Sequence, residues 1–301
     1  MYRVALIPLL SLAAACGPSD RSRRPVPSDA GTDTSVSDMD SGLDVDGGLD
    51  MDAASADAGP RLDDVLIYSH SRDTLYSFSP FTNTVTEIGV FQLPTGEQAP
   101  FMLDLAVDSN GVVFTCSDDT LFSVDPLNAE ATAIGTFGLG ADKLYALSFL
   151  SPSESPDGTE ALIGATNAGT YYQIDRSNAS TRMLGSYPDG WMSSGDIVSV
   201  DGGTYATLRS TDFTGDVLAR IIFARDGSSS VVVIGPIKSA TEDFKDLFGL
   251  AYWGRDVYGF SNTGQLIRID RATGAAEVVT TGTGADQFWG AGVTTIVPVL
   301  I

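Results

Sequence analysis

The sequence contains few side chains that could act as a nucleophile or a base near neutral pH. It has one histidine, His70, and two cysteines, Cys16 and Cys116. A Ser/His/Asp triad or a zinc site of several His and Cys ligands would need more of these residues, so neither is predicted. His70 lies where a predicted strand meets a turn, which favours a solvated histidine over a catalytic base. Cys116 lies in an apolar strand and is expected to be buried as a small hydrophobe.

Carboxylates are therefore the main candidates for a reactive or metal-binding group. Asp104 and Asp196 occupy the same position in two repeated strands, where the other copies have Ala146, Gly249 and Gly290. If these strands surround a common axis, the two carboxylates could hold a hard cation such as Ca²⁺, which takes oxygen ligands. The alternative is that each carboxylate caps a strand and accepts hydrogen bonds from backbone N–H groups. Apart from Ca²⁺, the sequence indicates no cofactor.

Aromatic side chains are concentrated in the segments between the repeats. Trp191, Trp289, Tyr187 and Phe101 are candidate ligand-binding residues, because flat apolar rings suit sugars and peptides. The same segments also carry acidic residues, namely Glu97, Asp142, Asp189, Glu242, Asp243, Asp246 and Asp286. The alternative is that the aromatic rings fill the core between the repeats.

The elements that position these residues are short strands that recur in a common register. The segment 76–89 is repeated at 122–135, 172–185 and 267–280, and more loosely at 222–235. Each copy has the pattern of a strand, a polar turn around Asp or Asn, and a second strand, which predicts a β-hairpin.

A second pair of strands precedes the hairpin and completes a four-stranded unit. The two strands predicted at 104–107 and 111–116 have the same pattern as the two at 248–252 and 256–260. The unit recurs about every 45 to 50 residues, a spacing typical of β-propeller blades.

The two ends of the repeat region are incomplete and complement each other. Residues 65–91 supply three strands, and residues 292–301 supply one strand of the innermost type. Pairing these ends would close a ring and remove the exposed sheet edges. Small residues such as Ala106 and Ala251 in the first strands fit the crowding around an axis. The sequence therefore predicts an all-β protein, a β-propeller of five blades with four antiparallel strands each, closed by the C-terminal strand.

The composition excludes one class of partner. The formal net charge is −22, with 17 Lys and Arg against 39 Asp and Glu. Such a surface repels phosphate backbones, so nucleic acid is not an expected partner. The hydrophobic content of 43% is sufficient for a folded core.

The first sixteen residues have the layout of a signal peptide. Arg3 precedes a short apolar stretch that ends in the small residues 13–15 and then Cys16. This arrangement resembles the lipobox of bacterial lipoproteins. The resemblance implies that Cys16 carries a lipid and becomes the N-terminus of the mature protein. The alternative is an ordinary secretory signal cleaved near Ala15, with Cys16 as a free thiol.

Residues 17–60 have the composition of a flexible tether. They are rich in Ser, Asp, Gly, Ala and Pro and contain no aromatic residue. Such a segment cannot bury enough apolar area to offset the entropy of ordering, so disorder is predicted. The expected organisation is a lipoprotein signal peptide at 1–16, a disordered linker at 17–60 and a propeller domain at 61–301.

Residues 266–274 resemble the repeat Leu-Tyr-x-Ile-Asp-x-x-Thr-Gly of a loosely defined group of bacterial propellers. With the lipobox and the Asp-rich spacer, the chain resembles the tethered surface propellers of myxobacteria and related bacteria. The resemblance implies a lipid-anchored protein of the cell envelope. Gly17, which follows the cysteine, points to the outer membrane of a Gram-negative bacterium.

These observations predict a noncatalytic binding or scaffold lipoprotein. The expected partners are the membrane, through the N-terminal lipid, and an unknown protein or carbohydrate. The alternative is a metal-dependent hydrolase or lyase similar to the gluconolactonase-like propellers. Those enzymes gather several acids and an Asn at the axis, whereas in this chain Asp104 and Asp196 align.

Overall fold

The computed structural model describes residues 61–226 and 228–297. The predicted signal peptide, Cys16 and the linker at 17–60 lie outside the described residues. The described part contains five antiparallel sheets of four strands each, which we number in chain order. It also contains two short 3₁₀ helices, at Leu62–Asp64 and Pro188–Gly190. No helix within the described part is long and apolar enough to cross a membrane.

Each sheet is one blade, whose four strands run from the axis of the ring to its outer edge. Blade 1 contains, from the innermost strand outwards, β20 (Gly290–Gly292), β1 (Ile67–His70), β2 (Thr74–Ser79) and β3 (Thr84–Val90). Blade 2 contains β4 (Asp104–Val107), β5 (Val113–Cys116), β6 (Thr120–Val124) and β7 (Ala131–Thr136). Blade 3 contains β8 (Leu144–Leu150), β9 (Ala161–Thr166), β10 (Thr170–Ile174) and β11 (Thr181–Ser186).

The remaining two blades follow the same order. Blade 4 contains β12 (Met192–Val200), β13 (Gly203–Arg209), β14 (Val217–Phe223) and β15 (Ser229–Pro236). Blade 5 contains β16 (Leu247–Trp253), β17 (Asp256–Ser261), β18 (Leu266–Asp270) and β19 (Ala276–Thr280). The innermost strands contact one another in the order β20, β4, β8, β12, β16 and back to β20. The predicted five-bladed propeller is therefore confirmed.

The C-terminal strand closes the ring, but its predicted bounds were wrong. β20 pairs antiparallel with β1, so that Tyr68 lies opposite Gly292 and His70 lies opposite Gly290. The sequence placed this strand at 292–301, as the fourth strand that the three strands in 65–91 lack. In the structure, Val293 and Val297 instead leave the ladder and are buried in the core shared by blades 1, 4 and 5. Their apolar character is explained by packing rather than by strand pairing.

Aromatic rings join neighbouring blades. The rings of Phe114 in blade 2 and Phe149 in blade 3 meet edge to face, with centroids 5.4 Å apart. Tyr171 in blade 3 and Phe223 in blade 4 form a similar pair at 5.0 Å. Edge-to-face pairs of this kind add stabilisation beyond the area that they bury.

The aliphatic residue and glycine that end most repeats have a common structural origin. In every blade, the pairing of the two outer strands shifts by one residue near its end. In blade 2 the shift leaves Ile134 unpaired, and its side chain packs against the core. The next residue, Gly135, lies against blade 3, where an added Cβ would sit 2.5 Å from the carbonyl oxygen of Asn178. The bulge thus directs an aliphatic side chain inward, and the glycine allows the next blade to approach.

Candidate functional site

Asp104 is the first residue of β4 and is completely buried on the inner face of the ring. Its Oδ1 accepts a hydrogen bond from the backbone N–H of Leu105 at 2.7 Å. Its Oδ2 accepts one from the backbone N–H of Leu147, in the innermost strand of blade 3, at 2.6 Å. One carboxyl group therefore links the innermost strands of two neighbouring blades.

Asp196 in β12 is also completely buried and makes the corresponding contacts in the other blades. It accepts hydrogen bonds from the N–H groups of Ile197 at 2.6 Å and of Leu250, in blade 5, at 2.7 Å. The backbone of Ala291, in blade 1, forms a further hydrogen bond to it. Asp104 and Asp196, which we call the axial carboxyl pair, thus bind N–H groups from the innermost strands of all five blades.

The two members of the axial carboxyl pair are also hydrogen-bonded to each other. Burial raises the pKa of Asp104, and the charge of the neighbouring Asp196 raises it further. Burial likewise raises the pKa of Asp196, although the hydrogen bond from Asp104 opposes that change. Two carboxyl groups this close cannot both ionise readily, so the pair retains a proton that its two members share.

This arrangement is the second of the two alternatives that the sequence left open for these residues. Their oxygens accept backbone N–H groups, and a cation bound there would have to displace those bonds. Within residues 61–226 and 228–297, no group of three or more His, Cys, Asp or Glu side chains is placed to hold a metal ion. The Ca²⁺ hypothesis for Asp104 and Asp196 stays a sequence-based prediction.

His70 lies next to the axial carboxyl pair, so the expectation that it is solvated was wrong. It is completely buried, because β20 covers β1 when the ring closes. Its Nδ1 lies 2.5 Å from the carbonyl oxygen of Ser71, whereas its Nε2 has no partner among the described residues. Burial lowers the pKa of His70 to about 4, although the hydrogen bond to Ser71 opposes the shift. The ring is therefore neutral at pH 7, with its proton on Nδ1.

Gly290 explains how these groups fit together. A Cβ atom at this position would lie 2.5 Å from His70 Nε2 and would also collide with Asp104 Oδ1. Gly249 is similarly constrained, since its Cβ would lie 2.8 Å from the Cβ of Ala291. The small residues that the sequence shows in the first strands are thus required by the close approach of the strands at the axis.

Asp216 is a buried carboxylate that the sequence analysis missed. It precedes β14, accepts a hydrogen bond from the hydroxyl of Ser194 and accepts another from the N–H of Leu247 at 2.9 Å. Burial raises its pKa, and the hydrogen bond from Ser194 opposes the change. It joins blade 4 to blade 5, as Asp104 joins blade 2 to blade 3. The only hint in the sequence is an acidic residue directly before the apolar strand 217–223.

A cavity of about 240 Å³ opens beside the axial carboxyl pair, at the end of the ring where the innermost strands begin. We call it the mouth cavity. All five blades, or the segments leading into them, contribute to its lining, which consists of Leu103, Tyr145, Asn167, Ser193, Ser194, Gly195, Arg209, Phe248 and Trp289. Leu103 and Gly195 directly precede Asp104 and Asp196, so the carboxyl pair lies next to the cavity.

Trp289 is the sequence-predicted aromatic residue that lines the mouth cavity. Its ring is tilted against that of Phe248, with centroids 5.9 Å apart. The guanidinium group of Arg72 lies 5.5 Å from the Trp289 centroid and 4.0 Å from the centroid of Phe101. Phe101 is 53% exposed. Phe101 and Trp289 are therefore brought together through Arg72, by cation–π contacts at the rim of the cavity.

Trp191 and Tyr187 lie elsewhere, in the core between blades 3 and 4 and at its margin. Tyr187 is buried, and its ring centroid is 5.7 Å from that of Tyr171. Trp191 is partly buried and stacks on Phe213 at 5.9 Å. Tyr187 therefore fills the core between two repeats, which is the alternative that the sequence left open for the aromatic residues. Sequence alone could not separate these rings from Trp289, because the path of each connecting segment decides where its ring lies.

Arg209 is the basic group of the mouth cavity and was also missed. It ends β13, and its Nη2 donates a hydrogen bond to Oδ1 of Asn167. Its Nε is shielded from solvent and has no hydrogen-bond partner among the described residues. No Asp or Glu of the described part forms an ion pair with it. What sets Arg209 apart is its place in the lining of the mouth cavity.

Cys116 is buried at the end of β5, as expected from the sequence. Its Sγ lies 3.8 Å from the carbonyl oxygen of Leu144. Burial raises the pKa of the thiol to about 12. A buried thiol with so high a pKa is not a nucleophile at neutral pH.

No protein-family model and no curated protein matches the chain. Among solved structures, it resembles a glutaminyl cyclase from Myxococcus xanthus at 17% identity and a TM-score of 0.39, over 76% of this chain and 74% of that one. It resembles the calcium-binding protein regucalcin from Agrobacterium tumefaciens at 15% identity and a TM-score of 0.39, over 67% and 64%.

A third similar structure is the dihydro-heme d1 dehydrogenase NirN, at 15% identity and a TM-score of 0.36, over 70% of this chain. The chain spans 43% of the length of that protein. Likenesses at such low identity concern the propeller architecture, and the activities of these proteins do not transfer to this chain.

Proposed function

We propose that this protein is a noncatalytic binding or scaffold lipoprotein, held at the cell envelope by a lipid on Cys16, and that it binds its ligand in the mouth cavity. The observation that carries the proposal is the lining of that cavity. Five blades converge there to present aromatic rings, one arginine and a few polar groups, which is the usual make-up of a small-ligand site.

The chemistry next to the cavity supports binding rather than catalysis. The acid groups next to the cavity are the axial carboxyl pair and Asp216, and their oxygens accept hydrogen bonds from the ring itself. His70 has a free Nε2, but it is completely buried beneath Gly290. For these reasons the metal-dependent hydrolase or lyase is not favoured.

The anchor is tested by metabolic labelling with a fatty-acid analogue in a Gram-negative host. We expect wild-type protein to be labelled and to fractionate with the outer membrane. The variant Cys16→Ala should be unlabelled. Equal labelling of both proteins, or none of either, would contradict the lipoprotein part of the proposal.

The binding role is tested by screening the full chain against carbohydrate and peptide arrays. Each ligand found is then measured with Trp289→Ala and Trp191→Ala. We expect Trp289→Ala to weaken binding strongly, because its ring lines the cavity. Trp191→Ala is the matched control, since its ring stacks on Phe213 outside the lining. Unchanged affinity in Trp289→Ala would refute the mouth cavity as the site.

A further inference from the structure

Resting on the proposed binding role, we propose that the mouth cavity recognises a small organic carboxylate that carries one six-membered ring. In this proposal Arg209 takes the carboxylate, and Trp289 and Phe248 contact the ring. Three features of the cavity lead to this ligand class: its missing counter-ion, its size and its apolar wall.

The missing counter-ion is the first feature. Arg209 donates a hydrogen bond to the neutral side chain of Asn167, its Nε is shielded from solvent without a partner, and none of the ion pairs among the described residues includes it. A partly buried charge without a partner is costly, and a ligand that supplies the opposite charge removes that cost. Guanidinium groups suit carboxylates in particular, because their N–H donors form a fork that matches the two oxygens.

The surrounding negative charge does not prevent this contact. The acidic side chains of the connecting segments, such as Asp142, Glu242 and Asp286, are exposed, so solvent and salt screen their charges. Asp216 lies closer, but its oxygens accept hydrogen bonds from Ser194 and Leu247. Within the cavity the guanidinium acts at short range and in a lower dielectric, so its attraction prevails locally. Arg72 adds a second positive charge at the rim.

Size and wall chemistry define the rest of the ligand. A volume of about 240 Å³ lies just below the range of about 300 to 1,000 Å³ that holds drug-sized ligands, so it suits one ring and its carboxylate. Leu103 and the rings of Trp289, Phe248 and Tyr145 form the apolar part of the lining. Such rings bind the flat face of an aromatic group or the apolar face of a sugar ring. Phenylacetate and glucuronate represent these two sources of the same chemistry.

The test compares each acid with a neutral partner of the same shape. Binding of phenylacetate, phenylacetamide, glucuronate and glucose to the unmodified full chain is measured by calorimetry up to about 10 mM. We expect at least one acid to bind about tenfold or more tightly than its neutral partner, because a hydrogen bond to a charged group is stronger than one to a neutral group. The preferred acid identifies the ring type.

Variants then assign the effect to Arg209. Arg209→Met should abolish the preference for the acid, and Arg209→Lys should reduce it, because lysine keeps the charge but loses the fork. The matched control is Arg182→Met. Arg182 likewise donates Nη2 to one amide oxygen, that of Gln173, but it lies in the outer strand of blade 3. This control should bind like the wild type.

The outcomes separate this inference from the proposed function. If acid and amide bind equally and Trp289→Ala weakens both, the carboxylate inference is wrong and the binding role of the mouth cavity stands. If no probe binds at about 10 mM, the carboxylate inference is overturned, and the array screen decides the binding role alone. Because the acid and amide are compared on the unmodified chain, the test does not depend on the folding of any variant.

Discussion

Asp104 and Asp196 share a hydrogen bond inside the ring, and together the two side chains bind the innermost strands of all five blades. The innermost strands of a propeller approach each other so closely at the axis that large side chains do not fit between them. Other contacts must therefore hold these strands together. In this protein a pair of short carboxyl side chains performs that task by accepting backbone N–H groups that would otherwise lack partners.

The first prediction concerns the removal of Asp104. Asp104→Ala leaves the N–H groups of Leu105 and Leu147 without acceptors and should lower the free energy of unfolding by about 3 kcal/mol or more. Asp104→Asn keeps a donor towards Asp196 and one acceptor oxygen, so a loss of about 1 kcal/mol is expected. Urea unfolding of the three proteins measures both values. Equal stability of the Ala and Asn variants would contradict the role of the carboxyl oxygens.

The second prediction is the pH dependence that this pair causes. The pKa of Asp104 is raised in the folded state, whereas in the unfolded chain it is about 3.9. The folded state therefore binds the proton more tightly, and the resulting stabilisation is complete below about pH 4 and is lost as the pH rises through the raised pKa. The stability of the wild type minus that of Asp104→Asn should fall by about 1.4 kcal/mol per pH unit in this window. A constant difference would show that Asp104 titrates normally.

The third prediction concerns His70, whose pKa shift has the opposite sign. Its pKa falls from 6.5 to about 4 on folding, so the unfolded chain takes up a proton that the folded chain excludes. The free energy of unfolding is therefore unaffected by this group above about pH 6.5, and it decreases as the pH falls towards 4. His70→Gln cannot titrate, and its stability should approach or exceed that of the wild type as the pH falls from about 6.5 to 4. A parallel pH dependence of the two proteins would argue against a buried neutral histidine.

Some of this site could be predicted from the sequence, and the reasons for the limits are physical. The repeat register aligned Asp104 with Asp196 and predicted that they meet at an axis, because equivalent strands of a closed ring are related by rotation. The burial of His70 could not be predicted, since it depends on β20, a strand of three residues some 220 positions away along the chain. Arg209 and Trp289 come together through loops whose paths no local pattern specifies.

The fourth prediction tests the crowding at the axis. Gly290→Ala places a methyl group against His70 Nε2 and Asp104 Oδ1, and overpacking of this kind should destabilise the protein by about 1 to 3 kcal/mol. Gly282→Ala is the control, because the nearest atom to its added Cβ is Thr280 Oγ1 at 3.8 Å and its change should stay within about 0.5 kcal/mol. Thermal unfolding of both variants provides the comparison. Equal melting temperatures of the two variants would show that the space around Gly290 can accommodate a methyl group.

The fifth prediction concerns the segment that follows β20, where two adjacent threonines differ in their partners. The hydroxyl of Thr295 donates to Glu160 Oε1, at 2.5 Å, in the segment before β9. The same carboxylate accepts from the N–H of Ser109 at 2.8 Å, so it ties the C-terminal segment to blades 2 and 3. The hydroxyl of Thr294, by contrast, is buried and has no partner among the described residues.

Valine has nearly the shape of threonine, so each substitution removes only the hydroxyl. Thr295→Val should lower the free energy of unfolding by about 1 to 2 kcal/mol, because a hydrogen bond to a charged acceptor is lost. Thr294→Val removes an unsatisfied polar group and should be neutral or stabilising by up to about 1 kcal/mol. Chemical unfolding of the two variants in parallel measures the difference. Opposite effects on neighbouring residues would identify the Thr295–Glu160 bond as the contact that holds the closed ring, whereas equal losses would show that the segment is stabilised by packing of Val293 and Val297 alone.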